Sequence, residues 1–193
     1  MRCGKGVSGG YKTLPYRDCE GVQMIAHKLS ANKTAHSRFP RRKRTRLEYF
    51  DYATPNCVIF TTSCTANAVP LFDDHALVTS AVECVKEERQ RVGHAVYVFC
   101  FMPEHFHLLI NPLESGVPVT RFMGHLHSRI TKLAWDCGHA GKVLQRGFYD
   151  RVLRSTETVL DVGEYILNNP VRRGLVDSYE EYPYCGMMDR IQV

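Results

Sequence analysis

Two histidines stand one residue apart in "PEHFHLLIN", Pro103 to Asn111. If the apolar run behind them is a strand, His105 and His107 project from the same face, and Phe106 turns to the other. Two imidazoles held side by side can share one divalent metal ion. Taken alone, an H-x-H pair is explained as well by two partly buried histidines with ordinary hydrogen bonds. The chain carries its own comparison in "GHLHS", with His125 and His127. That stretch has helical spacing, and on a helix residues two apart are separated by about 200° around the axis. His125 and His127 cannot chelate one ion and are read as unrelated helix residues.

A second set of candidates lies in "GEYILNNP", Gly163 to Pro170. On a helix, Tyr165 and Asn169 stand at i and i+4 and share a face. A phenol beside a bound metal can attack a phosphodiester covalently. A carboxamide oxygen can join two imidazoles as a third ligand. Such a nitrogen and oxygen set suits Mg²⁺ or Mn²⁺, although Zn²⁺ or Ni²⁺ could occupy it. Read singly, Tyr165 could pack and Asn169 could cap the helix before Pro170.

These residues need a frame. "NCVIFTTSC" (Asn56–Cys64) reads as a buried strand. "DDHALVTSAVECVKEERQRV" (Asp73–Val92) opens with capping Asp residues and has apolar positions at helical spacing. "HAVYVFCFM" (His94–Met102) and "HFHLLIN" read as two strands of a hairpin punctuated by Pro103-Glu104. A helix is expected over Pro118–Cys137, a fourth strand over Val143–Leu153, and a helix capped by Ser155 or Thr156 and ending near Pro170. The order β-α-β-β-α-β plus a terminal helix predicts an α+β chain of the ferredoxin-like βαββαβ type. Its sheet is antiparallel, with helices on one face and a C-terminal catalytic helix added.

Hydrophobic residues make up 44% of the 193, enough for a core. No apolar run is long enough to span a membrane and no export signal is apparent. A cytoplasmic protein with reduced thiols is therefore expected, and none of the eight cysteines forms a C-x-x-C pair. Residues 1–50 hold twelve Lys/Arg against three Asp/Glu, a net +9, which leaves −4 on the rest of a chain of net +5. The concentration peaks in "RRKRTR", where Arg41, Arg42, Lys43, Arg44 and Arg46 could bind phosphates or form a solvated tail. Residues 1–43 are read as a flexible basic extension, apart from a possible short helix around "GVQMIAHKL", and 44–193 as a single catalytic domain.

Three ordered blocks, "FMPEHFHLLINP", "LQRGFYDRVLR" and "EYILNNPVRRGLV" with "YPY" behind it, together resemble the HUH single-tyrosine transposases. The branch they resemble is that of the REP-associated tyrosine transposases, over about residues 44–186. The resemblance implies that His105 and His107 bind a divalent metal and that Asn169 completes the site. It implies that Tyr165 forms a 5′-phosphotyrosine link to single-stranded DNA at hairpins of palindromic repeats. Tyr149, in "GFYDR", is the alternative nucleophile, and Tyr182 and Tyr184 are read as packing residues. Arg146, Arg151, Arg154, Arg172 and Arg173 are candidate DNA contacts, although a solvated helix end accounts almost equally for the last two. The partner is expected to be hairpin DNA, the assembly a monomer or a homodimer. Two rival classes stand beside this reading. One is a domesticated hairpin-binding protein that does not cut, and the other a small metal enzyme of unrelated chemistry.

Overall fold

The structure, a computed structural model, describes residues 50–153 and 156–191, with only the backbone of 156–158. The basic run from Arg41 to Arg46, the short helix around "GVQMIAHKL", Arg154 and Ser155 lie outside the described residues.

Strand β1 (Val58–Cys64) leads through two 3-10 turns into helix α1 (His75–Val92). Asp74 caps α1, its carboxylate accepting from the amides of Ala76 and Leu77. Gly93, at φ 74°, takes the left-handed conformation that ends it. Strands β2 (Ala95–Met102) and β3 (His105–Asn111) form the expected hairpin, and helix α2 (Val119–Asp136) follows. Strand β4 (Tyr149–Leu153), helix α3 (Thr156–Leu167), a single helical turn α4 (Asn169–Arg172) and a short strand β5 (Cys185–Met187) complete the chain. The sheet order is β4-β1-β3-β2-β5 and every pairing is antiparallel.

Alternation along the strands divides the core between two faces. On one face α1 and α2 pack through Leu77, Val78, Val85, Phe122, Leu126 and Ile130 onto Ile59, Phe101, Phe106 and Ile110. On the other face Val159 and Ile166 of α3 pack with Tyr97, Val98, Cys100 and Leu109. Two of the expected helices thus share one face, and the catalytic-helix candidate covers the opposite one. Val159, Gly163 and Ile166 fall at i, i+4 and i+7, the inward stripe of α3, and Ile166 is fully buried. Burying such a side chain is worth about 1.5–3 kcal/mol, and this holds α3 in register with the sheet.

Three expectations are corrected. The fourth strand is shorter than Val143–Leu153. Residues 143–148 make only one isolated bridge, Thr65 to Leu144, because β1 has ended at Cys64 and offers no further ladder. The terminal helix does not run unbroken to Pro170. It stops at Leu167 and resumes at Asn169, since Pro170 has no N–H and its ring collides with the carbonyl four residues earlier. Strand β5, at the far edge beside β2, adds an element beyond the expected order. Tyr182 and Tyr184 do pack there: the Tyr182 hydroxyl donates to the Phe101 carbonyl at 2.9 Å, and Tyr184 bonds to His75.

His94 is buried at the start of β2. Its Nε2 donates to the Val117 carbonyl at 2.8 Å, and its Nδ1 has no partner among the described residues. Burial pushes this imidazole below its ordinary value, against the upward pull of the Val117 carbonyl and the Glu88 carboxylate. The folded protein therefore holds His94 neutral where the unfolded chain would protonate it. Stability is full above about pH 6.5 and falls as pH drops below that value toward the depressed folded pKa. Urea unfolding at pH 7.5 and pH 5.5 should show a lower midpoint at the lower pH. His94→Gln, which cannot titrate, should reduce that difference.

Candidate functional site

The register of β1, β3 and β4 builds the site. Thr62 pairs with His107 on one side and Tyr149 on the other, and Cys64 pairs with His105. Paired residues on neighbouring strands share a face, so His105, His107, Thr62 and Tyr149 all lie on the α3 side of the sheet. The hairpin turn holds His105 at its end. Pro103 fixes its own φ, and the two turn carbonyls are pinned by backbone amides, Phe72 to Pro103 at 2.9 Å and Thr65 to Glu104 at 2.8 Å.

The imidazole Nε2 atoms of His105 and His107 approach to 3.1 Å. Their outer nitrogens are also held. His105 Nδ1 lies 3.1 Å from the Glu104 carboxylate, and His107 Nδ1 lies 2.9 Å from Thr62 Oγ1. Burial would raise the Glu104 carboxyl, but the hydrogen bond and charge of His105 and the nearby Arg173 guanidinium outweigh it and hold it below its usual range. An ionised carboxylate only accepts, so His105 Nδ1 carries a proton. His107, 4% exposed, is kept neutral, pushed well below its usual value by burial and then by the charges of His105 and Arg172.

The contact between the two Nε2 atoms requires one of them to donate to the other, and His107 Nδ1 pairs with the Thr62 hydroxyl in the complementary sense. A divalent ion would use both Nε2 lone pairs and needs the His107 tautomer with Nδ1–H donating to Thr62. A hydroxyl serves either tautomer by rotating; valine or aspartate would not. Two nitrogens ~2.1 Å from one ion and at right angles to each other stand about 3.0 Å apart, close to the separation here. Outer partners that orient the imidazoles, as Thr62 and Glu104 do, are a general feature of histidine metal sites. The donor set therefore fits an ion, although among the described residues no group of three His, Cys, Asp or Glu forms one. A third protein ligand would have to be of another type.

Asn169 is of another type. It is 8% exposed, and its Nδ2 donates to the carbonyls of Tyr165 at 3.0 Å and Ile166 at 3.3 Å. Pro170 cannot supply an amide proton to Ile166, so the carboxamide replaces it. This fixes the amide orientation and leaves Oδ1 as the atom able to take a cation. The helix-end role and the ligand role, weighed as alternatives from the sequence, are compatible because they use different atoms.

Tyr165 is 43% exposed, with its ring centroid 6.4 Å from that of His107. The Arg172 guanidinium lies over the ring, 4.6 Å from the centroid. Arg173 is committed to an ion pair with Glu104. Arg151 is exposed on β4, paired with Phe60, and Arg146 is exposed in the irregular stretch before it. His125 and His127 diverge: His125 meets Arg91 at 2.6 Å, and His127 meets Ser63 at 2.7 Å, on different elements. Sequence reasoning missed Thr62, Glu104 and Phe60. Glu104 adjoins the pair and could have been weighed, whereas Thr62 and Phe60 become neighbours of His107 only through strand order.

No protein-family model matches the chain. A putative REP-associated tyrosine transposase of Haemophilus influenzae is 26% identical over 97 residues, 45% of this chain and 55% of the relative. The chain thus spans about half the length of that curated relative. Among solved structures, a REP-associated tyrosine transposase bound to a REP hairpin superposes with a TM-score of 0.55 at 18% identity, covering 72% of this chain and 82% of the other. A putative transposase from Deinococcus radiodurans reaches 0.44 at 14% identity, over 65% and 96%. The resemblance carried by the three sequence blocks is met by the Haemophilus influenzae relative and the hairpin-bound structure: the chain is similar to REP-associated tyrosine transposases, and it shares the fold of the solved one.

Glu104 joins His105 to Arg173 and so ties the hairpin turn to the segment after α4. Glu104→Gln keeps the shape and removes the charge, and should lower stability by about 1.5–3 kcal/mol in urea unfolding at pH 7. Because the folded carboxyl is held low, its contribution is present above the unfolded value and lost as pH falls through the folded one. Wild type and variant should converge as the pH falls below the usual carboxylate range.

Proposed function

We propose that this protein is a metal-dependent nuclease and strand transferase for single-stranded DNA, acting at hairpins of palindromic repeats. The observation that carries the reading is the convergence of both Nε2 atoms at 3.1 Å beside an exposed phenol stacked under Arg172. The similarity to REP-associated tyrosine transposases, one of them solved with a REP hairpin, supports the choice of substrate.

His105 and His107, through Nε2, and Asn169, through Oδ1, would hold Mg²⁺ or Mn²⁺, which supplies charge neutralisation and orientation to the scissile phosphate. The phenol oxygen of Tyr165 attacks phosphorus. The bond from phosphorus to the preceding 3′-oxygen breaks, the 5′ end stays on the tyrosine, and the 3′-oxygen leaves as a hydroxyl after taking up a proton. Attack by another 3′-hydroxyl reverses the step and joins strands with no nucleotide consumed. Arg172, over the tyrosine ring, places positive charge where the phosphate must arrive. The basic run Arg41–Arg46 adds counterion-release affinity along the backbone.

The test is incubation with labelled hairpin DNA and Mg²⁺ or Mn²⁺. A denaturant-resistant protein–DNA band should form, map to Tyr165 and vanish with chelator. Tyr165→Phe and His107→Ala should each lower adduct formation by at least about 10³-fold, with His125→Ala close to wild type. Hairpin binding without any adduct would favour the non-cutting reading, and an adduct on Tyr149 would overturn the nucleophile assignment.

A further inference from the structure

Tyr149 remains without a role in this chemistry. It lies in one cross-strand row with Thr62 and His107, on the histidine face, and 42% of it is exposed. Its ring meets Phe60 edge-on at 6.5 Å, Phe60 meets His107 at 5.4 Å, and His107 meets Tyr165 at 6.4 Å. The four rings therefore follow one another from β4 to α3, with Tyr149 and Tyr165 exposed at the two ends and His107 buried between them. They are flanked by cations at both ends, with Arg151 exposed beside Phe60 in the register and Arg172 over Tyr165. Aromatic faces next to guanidinium groups are what a single strand of nucleic acid binds, bases on rings and phosphates on charges.

We propose that Tyr149 is a base-stacking platform that fixes the path of the single strand across the sheet, with Arg151 taking the neighbouring phosphate. The inference rests on the single-strand DNA reading and deepens it. Tyr149 is a positioning residue, remote from the bond being made. Two strand spacings of ~4.8 Å separate its row position from that of His107. A stacked strand rises ~3.4 Å per nucleotide, so the stacked base lies about three nucleotides from the scissile phosphate. A ring placed there sets which phosphate reaches Tyr165.

The experiment uses full-length protein carrying Tyr165→Phe, so that DNA is bound and not cut. The probe is a fluorescent oligonucleotide with a palindromic hairpin and single-stranded flanks, taken from inverted repeats beside the gene. Tyr149→Thr puts a β-branched, strand-compatible residue in its place and removes the ring. It should weaken binding about tenfold, while Tyr149→Phe stays within about twofold of the parent. An abasic site at one flank position should erase the difference between parent and Tyr149→Thr. With Tyr165 restored, Tyr149→Thr should blur the cleavage position, which a merely structural residue would not do. Equal affinity of Tyr149→Thr and parent on every strand would overturn the proposal while leaving the nuclease reading intact. So would a loss that no abasic site removes, or a change of oligomeric state in place of the affinity change. Failure of the parent to bind any of the strands would overturn both.

Discussion

A slip of one residue between β1 and β3 would dismantle this protein's site without removing a single hydrogen bond from the ladder. Side chains alternate with period two, so such a slip exchanges faces along the whole strand. His105 and His107 would enter the core beneath α1 and α2, and Phe106 would face α3. What prevents it is the asymmetry of burial. Phe106 is fully enclosed, packed against Phe101 at 4.9 Å and Phe72 at 5.9 Å. Each aromatic side chain buried there is worth about 1.5–3 kcal/mol. The histidine geometry is thus enforced from the opposite face of the sheet by residues that never meet a substrate.

The second constraint is the break in the terminal helix. Had α3 continued through Pro170, the Ile166 carbonyl would have an amide partner and Asn169 would have no backbone duty. Pro170 removes that amide, Asn169 compensates with Nδ2, and its Oδ1 becomes the spare acceptor. The same break redirects the chain so that Arg172 lies over Tyr165 and Arg173 reaches Glu104. A single imino acid therefore helps set the orientation of the Asn169 carboxamide, the cation over the nucleophile candidate, and the tie back to the histidine turn.

These ties meet in a continuous polar path. From the Thr62 hydroxyl it passes through His107 and His105 to the Glu104 carboxylate and Arg173. A neutral His107 surrounded by apolar packing would leave buried nitrogens unpaired. The path satisfies each of them while leaving one tautomer exchange available, in which the His107 proton moves between Nε2 and Nδ1 and the Thr62 hydroxyl turns to match. Rigidity around the pair and freedom within it come from the same hydrogen bonds.

The order of elements, the faces of β3 and the helix that carries Tyr165 were legible in the sequence, because each depends on local periodicity. His105 and His107 fall on one face at a spacing of two once β3 exists, and His125 and His127 diverge on a helix for the same kind of reason. The sequence also contained Pro170, yet not the consequence that Asn169 would turn its Nδ2 to the Tyr165 and Ile166 carbonyls, which depends on where those carbonyls point. The limits of β4 and the existence of β5 were illegible because a strand's extent is set by its neighbour's ladder. Thr62 and Phe60 lie more than forty residues from His107 and carry no motif. They become its neighbours because β3 inserts between β1 and β2, and strand order is decided by how whole faces bury together, which no local spacing encodes.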